Sequence, residues 1–190
     1  DAKGDAAARP RSADPRTPDA ADRNVVALQP PPRVMIPGVT PAIERGIREI
    51  AAADRKFDLL AFVEGAKGAY RMVLEAFWAG DKEALAELCD RDVYEGFVAA
   101  IDARTAAGET IANRLVRIED AVVVAASFDA PMERIAVRFT ADISALTSNA
   151  EGAVIAGSLD DAIEARDLWT FSRNVNSAAP DWLLDETDEG

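Results

Sequence analysis

The sequence contains no histidine and a single cysteine, Cys89, among its 190 residues. Histidine is the commonest general base and the commonest metal ligand, so its absence excludes the most familiar catalytic and metal-binding arrangements. One cysteine excludes an intrachain disulfide and a thiolate cluster, and Cys89 is expected to be a small buried apolar residue. Accordingly, no metal or organic cofactor is predicted.

Long apolar runs and basic residues are also scarce. No run reaches the length that spans a bilayer, and no signal-peptide pattern is present. With 21 basic and 34 acidic residues the net charge is −13. Such a surface repels phosphate backbones, so nucleic acid is not an expected partner. The chain begins at Asp1 without a methionine, which suggests a fragment or a processed form.

Large apolar residues are missing from the beginning of the chain. Up to Asn24 the apolar content is alanine and nothing larger, and six of the ten prolines lie within the first 33 residues. Such a segment cannot bury enough surface to offset the entropy that it would lose on ordering. Residues 1–38 are therefore predicted to form a disordered tether rich in proline and alanine.

The first helical pattern follows directly, over residues 39–56. Thr40 suits the N-cap and Pro41 suits the first helical position. Apolar residues recur on one face, which predicts an amphipathic linker helix. Such a helix packs on its own domain, on a partner or on a membrane surface. Its candidate contact residues for a membrane or a partner are Ile43, Arg45, Ile47, Arg48 and Ile50.

Three more helices are predicted before residue 109. Asp58 caps a largely apolar helix that ends at Gly80, and Asp81 caps the next one. A helix with so narrow a polar stripe is expected to be largely buried and to form the spine of the domain. Four small residues on it would let another element approach closely: Gly65, Ala66, Gly68 and Ala69.

Beyond residue 112 the pattern changes from helical to alternating. "NRLVRIEDAVVVAASF" predicts one long strand or two short ones, "DAPME" predicts a hairpin connection, and residues 135–143 alternate as a half-buried strand does. "SNAEGAVIAGSLDD" is predicted to be a polar link before the last two strands, "AIEARDLWTFSRNV" and "DWLLDET". Helices followed by antiparallel strands predict an α+β fold, with helices covering one face of a curved four-stranded sheet.

Three segments together resemble the Tim44-like domain family of the NTF2-like superfamily, in particular its bacterial adaptor-type (Tim44/TimA) members. They are the helical segment over residues 57–109, "IAVRFTADISAL", and the C-terminal "LWTFSRNVNSAAPDWLLDET". Each motif alone is weak, and the specificity comes from all three occurring in the family's order. The likeness places a Tim44-like domain at residues 57–190.

The resemblance implies a fold and a function. The fold is an NTF2-like cone, a curved sheet wrapped by helices around a large apolar pocket. The function is that of a non-enzymatic, membrane-associated adaptor or scaffold linked to protein translocation or membrane-protein assembly. The implied ligand is a membrane-associated protein partner, or a lipid or acyl chain. The implied location is the cytoplasmic face of a bacterial inner membrane, reached through an N-terminal anchor outside this chain.

Aromatic residues are expected to fill the core of this cone or to line its pocket. The candidates are Phe77, Trp78, Tyr94, Phe97, Phe139, Trp169, Phe171 and Trp182. Alternation along the strand puts Asp167 and Arg173 on the same face as Trp169 and Phe171, so these two are the candidate polar residues of the pocket.

Two other hypotheses remain open at this point. A pocket carboxylate with a raised pKa acts as a proton-transfer base in some cone-shaped folds, so the chain is alternatively an NTF2-like enzyme acting on a small apolar substrate, with Asp167 as the base. A purely structural assembly module, whose pocket is filled by its own side chains, is the third hypothesis.

Overall fold

The computed structural model describes residues 39–179 and 181–190; the predicted tether over residues 1–38 lies outside them. Within that part of the chain, four helices precede five strands. The helices are α1 (Pro41–Ala53), α2 (Leu59–Ala79), α3 (Lys82–Leu88) and α4 (Arg91–Ala106). The strands are β1 (Thr110–Ile111), β2 (Arg114–Asp129), β3 (Met132–Ser148), β4 (Val154–Asn174) and β5 (Leu183–Glu189). This is the predicted order of an α+β fold.

The helices begin and end where their capping residues predict. The Thr40 hydroxyl accepts a hydrogen bond from the backbone N–H of Ile43, and the Asp58 and Asp81 carboxylates accept equivalent bonds at 2.7 and 2.9 Å. These bonds satisfy N–H groups that the first turn of a helix leaves unpaired. Gly80 ends α2 in the left-handed conformation, with φ of 74°, which glycine adopts without strain.

The sheet is antiparallel and is built around β3. One side of β3 pairs with β2, and with β1 at its far end, while the other side pairs with β4, which in turn pairs with β5. Where β3 pairs with its neighbours, the extra residues at the register shifts lie on β2 and β4, on both sides of a regular β3. One further extra residue lies on β5, opposite β4. Such bulges bend and twist a strand, which accounts for the curvature of the sheet.

The structure corrects two details of the predicted sheet. It has five strands rather than four, because the two-residue β1 pairs with Ser148 and Thr147. The segment predicted to be a polar link is mostly strand, since β4 begins at Val154 after a short turn. Residues 151–157 are exposed on both faces, so they lack the alternation by which a strand is recognised.

The core lies between α2 and the concave face of the sheet. Tyr70 of α2 is fully buried and stacks on Phe139 of β3, with 4.3 Å between ring centroids. The centroid of Trp169 of β4 lies 4.6 Å from the centroid of the Tyr70 ring. Leu85, Cys89 and Leu184 are buried in the same core. Burial raises the pKa of the Cys89 thiol to about 12, so the residue behaves as the small apolar side chain that was predicted.

Helix α1 lies directly on β2. Its backbone approaches so closely that a Cβ on Gly46 would lie 1.9 Å from the carbonyl oxygen of Ala126. Ile43 and Ile50 are buried against the domain, and Ile47 is half-buried. Of the five residues proposed for a membrane or partner contact, only Arg45 and Arg48 are exposed, because the domain itself occupies the apolar face of the helix.

Among residues 39–179 and 181–190, no helix combines the length and the apolar character needed to cross a membrane.

Candidate functional site

A cleft of about 680 Å³ opens beside the first half of α2. Four parts of the chain, distant in sequence, build it: the loop between α1 and α2, the exposed side of α2, the end of α3, and the end of β4 with the link that follows it. Its volume lies in the range of ordinary ligand pockets. Most of its lining is apolar, so it offers a surface for an apolar ligand.

Aromatic rings form the floor of the cleft. Phe62 of α2 lies edge-on to Trp182, with 4.8 Å between centroids, and Phe57 lies 6.2 Å from both rings. Phe62 also meets Phe171 of β4 edge-on at 6.1 Å. These offset and edge-to-face contacts are favourable geometries for aromatic pairs, so the floor is held in place before any ligand arrives.

Small residues on α2 keep the cleft open. Ala61, Gly65 and Ala69 recur at intervals of four residues, which places them on one face of the helix, and all three line the cleft. Gly65, Ala66, Gly68 and Ala69 were predicted to allow close approach of another element. Three of these four, all except Gly68, line the cleft. A larger side chain at these positions would fill the space that a ligand needs.

The rim of the cleft is acidic. Asp58, Glu87 and Asp181 line it, and Lys56 is the one basic side chain of the lining that has no ion-pair partner among the described residues. A second depression of about 380 Å³ shares three residues with the cleft, continues along α2, and adds the acidic side chains of Glu75 and Asp81. A ligand that extends along α2 therefore meets negative potential on its way.

One wall of the cleft is held by an ion pair that joins α1 to β4. A guanidinium nitrogen of Arg173 donates to the Asp54 carboxylate at 2.7 Å, and both side chains are largely buried. Burial opposes ionisation of Asp54, but the backbone N–H of Lys56 and the Arg173 charge together hold the pKa of Asp54 below its usual value. Arg173 was predicted to be a polar pocket residue, and it lines the cleft; Asp54 was not anticipated.

A second acid, Glu133, lies close to this pair. It is the cross-strand partner of Arg173, is completely buried, and neither carboxyl oxygen has a hydrogen-bond partner in the described part of the chain. Burial raises the pKa of Glu133, with Arg173 opposing this shift and Asp54 adding to it. The alternation of side chains along β3 could have predicted that Glu133 is buried, because it lies on the strand face that carries Ile135 and Val137.

Asp167, the predicted polar residue of the pocket, lies elsewhere. The Tyr70 hydroxyl donates to its carboxylate at 2.6 Å, and Asp167 is not among the residues that line the cleft. Burial and the neighbouring carboxylate raise the pKa of Tyr70, which keeps the phenol protonated as a donor. The carboxylate of Asp167 therefore satisfies a buried hydroxyl within the core.

The predicted aromatic residues fall into three groups. Phe171 and Trp182 line the cleft, whereas Phe139 and Trp169 are buried in the core. Phe77, Trp78, Tyr94 and Phe97 pack partly buried against the core, away from the cleft, and Arg104 lies over the Phe77 ring. Phe57 and Phe62 were not among the predicted pocket residues. Phe57 directly precedes Asp58, the N-cap of α2, so it lies at the beginning of this helix.

Comparison with known proteins identifies one family. The family model described as "Tim44-like domain" matches residues 43–189 of this chain. No curated protein matches it. Among solved structures, the chain is similar to the intermembrane space region of the chloroplast protein ARC6, at 13% sequence identity and a TM-score of 0.49, over 70% of this chain and 97% of that chain.

Proposed function

Because the chain is a member of the Tim44-like domain family, we propose that it is a non-enzymatic adaptor or scaffold domain that holds an apolar segment of a protein partner in the cleft beside α2. Tim44-like domains are protein-interacting domains of a membrane-associated, translocation-related family. The observation that carries the proposal is the preformed floor of Phe57, Phe62 and Trp182 under an open cleft.

The shape of the cleft supports a chain segment as its ligand. The cleft is open to solvent along α2 and is continued by the second depression, so it suits an extended or helical segment. The guanidinium group in its wall, Arg173, is already paired with Asp54, which leaves little to fix the orientation of a small polar molecule.

The acidic rim supports a partner segment with basic residues beside its apolar ones. Complementary charge increases the association rate and disfavours acidic competitors. A lipid or acyl chain is the other apolar ligand of suitable chemistry, but anionic headgroups would meet the carboxylates of Asp58, Glu87 and Asp181. We therefore place the protein segment first.

No observation favours the enzymatic alternative. It depended on Asp167 as a base in the pocket, and the carboxylate of Asp167 accepts the Tyr70 hydrogen bond outside the cleft lining. Glu133 is the acid with the raised pKa, but it too is absent from the lining. As regards location, we propose the cytoplasmic face of a bacterial inner membrane, with attachment through an anchor outside this chain.

Affinity purification from solubilised membranes tests the proposal with two matched variants of α2. Ala61→Arg places a long, positively charged side chain in the cleft, and Glu64→Arg places the same side chain on the same helix outside it. Both positions are exposed, so neither variant should disturb folding, and equal thermal midpoints would verify this.

We expect a membrane-protein partner to co-purify with the parent chain and with Glu64→Arg, and its yield to fall by about tenfold or more with Ala61→Arg. Equal recovery with both variants would refute a role for the cleft. Recovery of lipid alone, lost in Ala61→Arg, would favour the acyl-chain ligand instead.

A further inference from the structure

In the part of the chain that the structure describes, only half of the outer edge of β4 is covered. Strand β5 pairs with β4 from Asp167 to Ser172, and the Gly190 N–H donates to the Arg166 carbonyl oxygen. Over residues 154–165 no strand pairs with that outer edge within the described part of the chain. An uncovered edge presents backbone donors and acceptors to a further strand. Bulges at Ile155 and at residues 159–161 divide these groups into short segments. We refer to residues 154–165 as the β4 edge.

The β4 edge also carries a group of exposed large apolar side chains. Seven large apolar side chains are strongly exposed in the described part of the chain, and four of them lie here. They are Val154 (58% exposed), Ile155 (53%), Leu159 (44%) and Ile163 (62%). Scattered single apolar residues need no explanation, but four within ten residues on one free edge mark a contact surface.

The charge of this region is of one sign. From residue 139 to residue 165 the chain has five acids and no base. Two of the acids are paired, Asp142 with Arg117 and Glu164 with Arg166. The other three, Glu151, Asp160 and Asp161, have no ion-pair partner among the described residues. A second copy of this chain would bring the same acids against them, whereas a basic segment would complement them.

We infer that the β4 edge accepts an extended segment of a protein partner as an additional strand, and that this segment combines apolar with basic side chains. Backbone hydrogen bonds to the free edge supply affinity, and the apolar and acidic side chains supply selectivity. None of these residues lines the cleft, so the β4 edge is a second binding surface with its own ligand. Binding at the β4 edge and binding at the cleft can therefore be tested independently.

The test uses the full chain and a fluorescent synthetic peptide of about ten residues, a common strand length, in which valine alternates with lysine and threonine. A second peptide has glutamate in place of lysine. A third keeps all side chains of the first but is N-methylated at every residue, which removes its backbone donors. Binding is measured by fluorescence anisotropy, and amide hydrogen exchange is followed in the free and the bound chain.

Two matched variants complete the design. Ile163→Lys puts a cationic side chain on the β4 edge, and Leu60→Lys makes the same change at an exposed apolar residue of α2. We expect the lysine peptide to bind the parent chain and Leu60→Lys equally, and Ile163→Lys about tenfold more weakly. Bound peptide should slow exchange over residues 154–165 alone, and the glutamate and N-methylated peptides should bind at least tenfold more weakly.

Other outcomes would overturn the inference. If the N-methylated peptide bound as tightly as the lysine peptide, the side chains alone would account for binding and no strand pairing would be involved. Equal loss in Leu60→Lys would show a general charge effect. Sedimentation of the chain as a dimer, converted to a monomer by Ile163→Lys, would identify a second copy as the occupant of the edge.

Discussion

At the scale of single residues, three carboxyl groups lie in different environments. Asp167 accepts a hydrogen bond from Tyr70, Asp54 is paired with Arg173, and Glu133 is buried without a partner in the described chain. A buried carboxylate is costly unless it is hydrogen-bonded or paired. Glu133 is therefore the group at which protonation and stability should be coupled.

Replacing Glu133 by glutamine tests that coupling. The pKa of Glu133 is raised above its ordinary 4.5. Above about pH 4.5 the unfolded chain releases this proton first, so the Glu133 contribution to the free energy of unfolding falls as the pH rises towards the folded-state pKa. Glu133→Gln removes this loss. Relative to the parent chain, the variant should become progressively more stable as the pH rises above about 4.5, measured by urea unfolding at several pH values.

Glu75→Gln is the control for this measurement, because it removes one negative charge from an exposed position of a chain with net charge −13. The advantage of Glu133→Gln over the parent should exceed that of the control at neutral pH and vanish in acid. A difference that is constant with pH, or that grows towards acid, would contradict a raised pKa at Glu133.

At this scale, the sequence predicted contacts between a side chain and the backbone a few residues away. The caps Thr40, Asp58 and Asp81 were predicted correctly, because each bonds a backbone group only three residues away. Asp167 was placed on the correct face, but its partner Tyr70 is 97 residues distant, and no local pattern reveals such a contact.

At the scale of elements, α1 positions one wall of the cleft. Its middle is seated on β2 through Gly46, and its C-cap, Asp54, holds Arg173 of β4. The loop that follows supplies Lys56, Phe57 and Asp58 to the cleft. The position of this helix therefore determines the geometry of the cleft mouth.

Substitution of glycine by alanine on two helices tests how closely α1 is seated. In Gly46→Ala the new Cβ would lie 1.9 Å from a backbone oxygen of β2, so α1 must shift, and we expect a loss of about 2 kcal/mol in the free energy of unfolding. Gly68→Ala lies in open space on α2, and alanine there should stabilise the chain by about 0.5–1 kcal/mol. Urea unfolding measures both.

Opposite signs for the two variants are the diagnostic result. If Gly46→Ala also stabilised the chain, α1 would not be in close contact with β2. If both variants destabilised the chain equally, the loss at Gly46 would not be specific to the approach of the backbones of α1 and β2.

Element-scale prediction depended on periodicity. The helices and the half-buried part of β3 have clear patterns and were predicted close to their observed bounds. The first half of β4 was missed, because both of its faces are exposed and its pairing with β3 depends on backbone hydrogen bonds and a bulge at residues 159–161.

At the scale of the whole molecule, the order of the elements and the resemblance to the Tim44-like family predicted the fold, and the family match over residues 43–189 confirms that assignment. The cleft could not be predicted in the same way. Its walls come from four segments spread between Asp54 and Trp182, and its floor depends on which aromatic rings meet when these segments pack together.

Both proposed binding surfaces are acidic in a chain that is itself strongly acidic. The cleft rim and the β4 edge therefore favour basic segments of partners, and association with either should weaken as salt screens these charges. The apolar floor of the cleft should be much less sensitive to salt, which separates the two contributions to affinity.

The most direct test of the central claim, that the cleft holds a partner segment, is photo-cross-linking in intact membranes. A benzophenone amino acid is placed at Ala61, inside the cleft, or at Glu64, outside it on the same helix. We predict a discrete protein adduct from Ala61 and none from Glu64. Equal adducts from both positions, or an adduct from Glu64 alone, would contradict the claim.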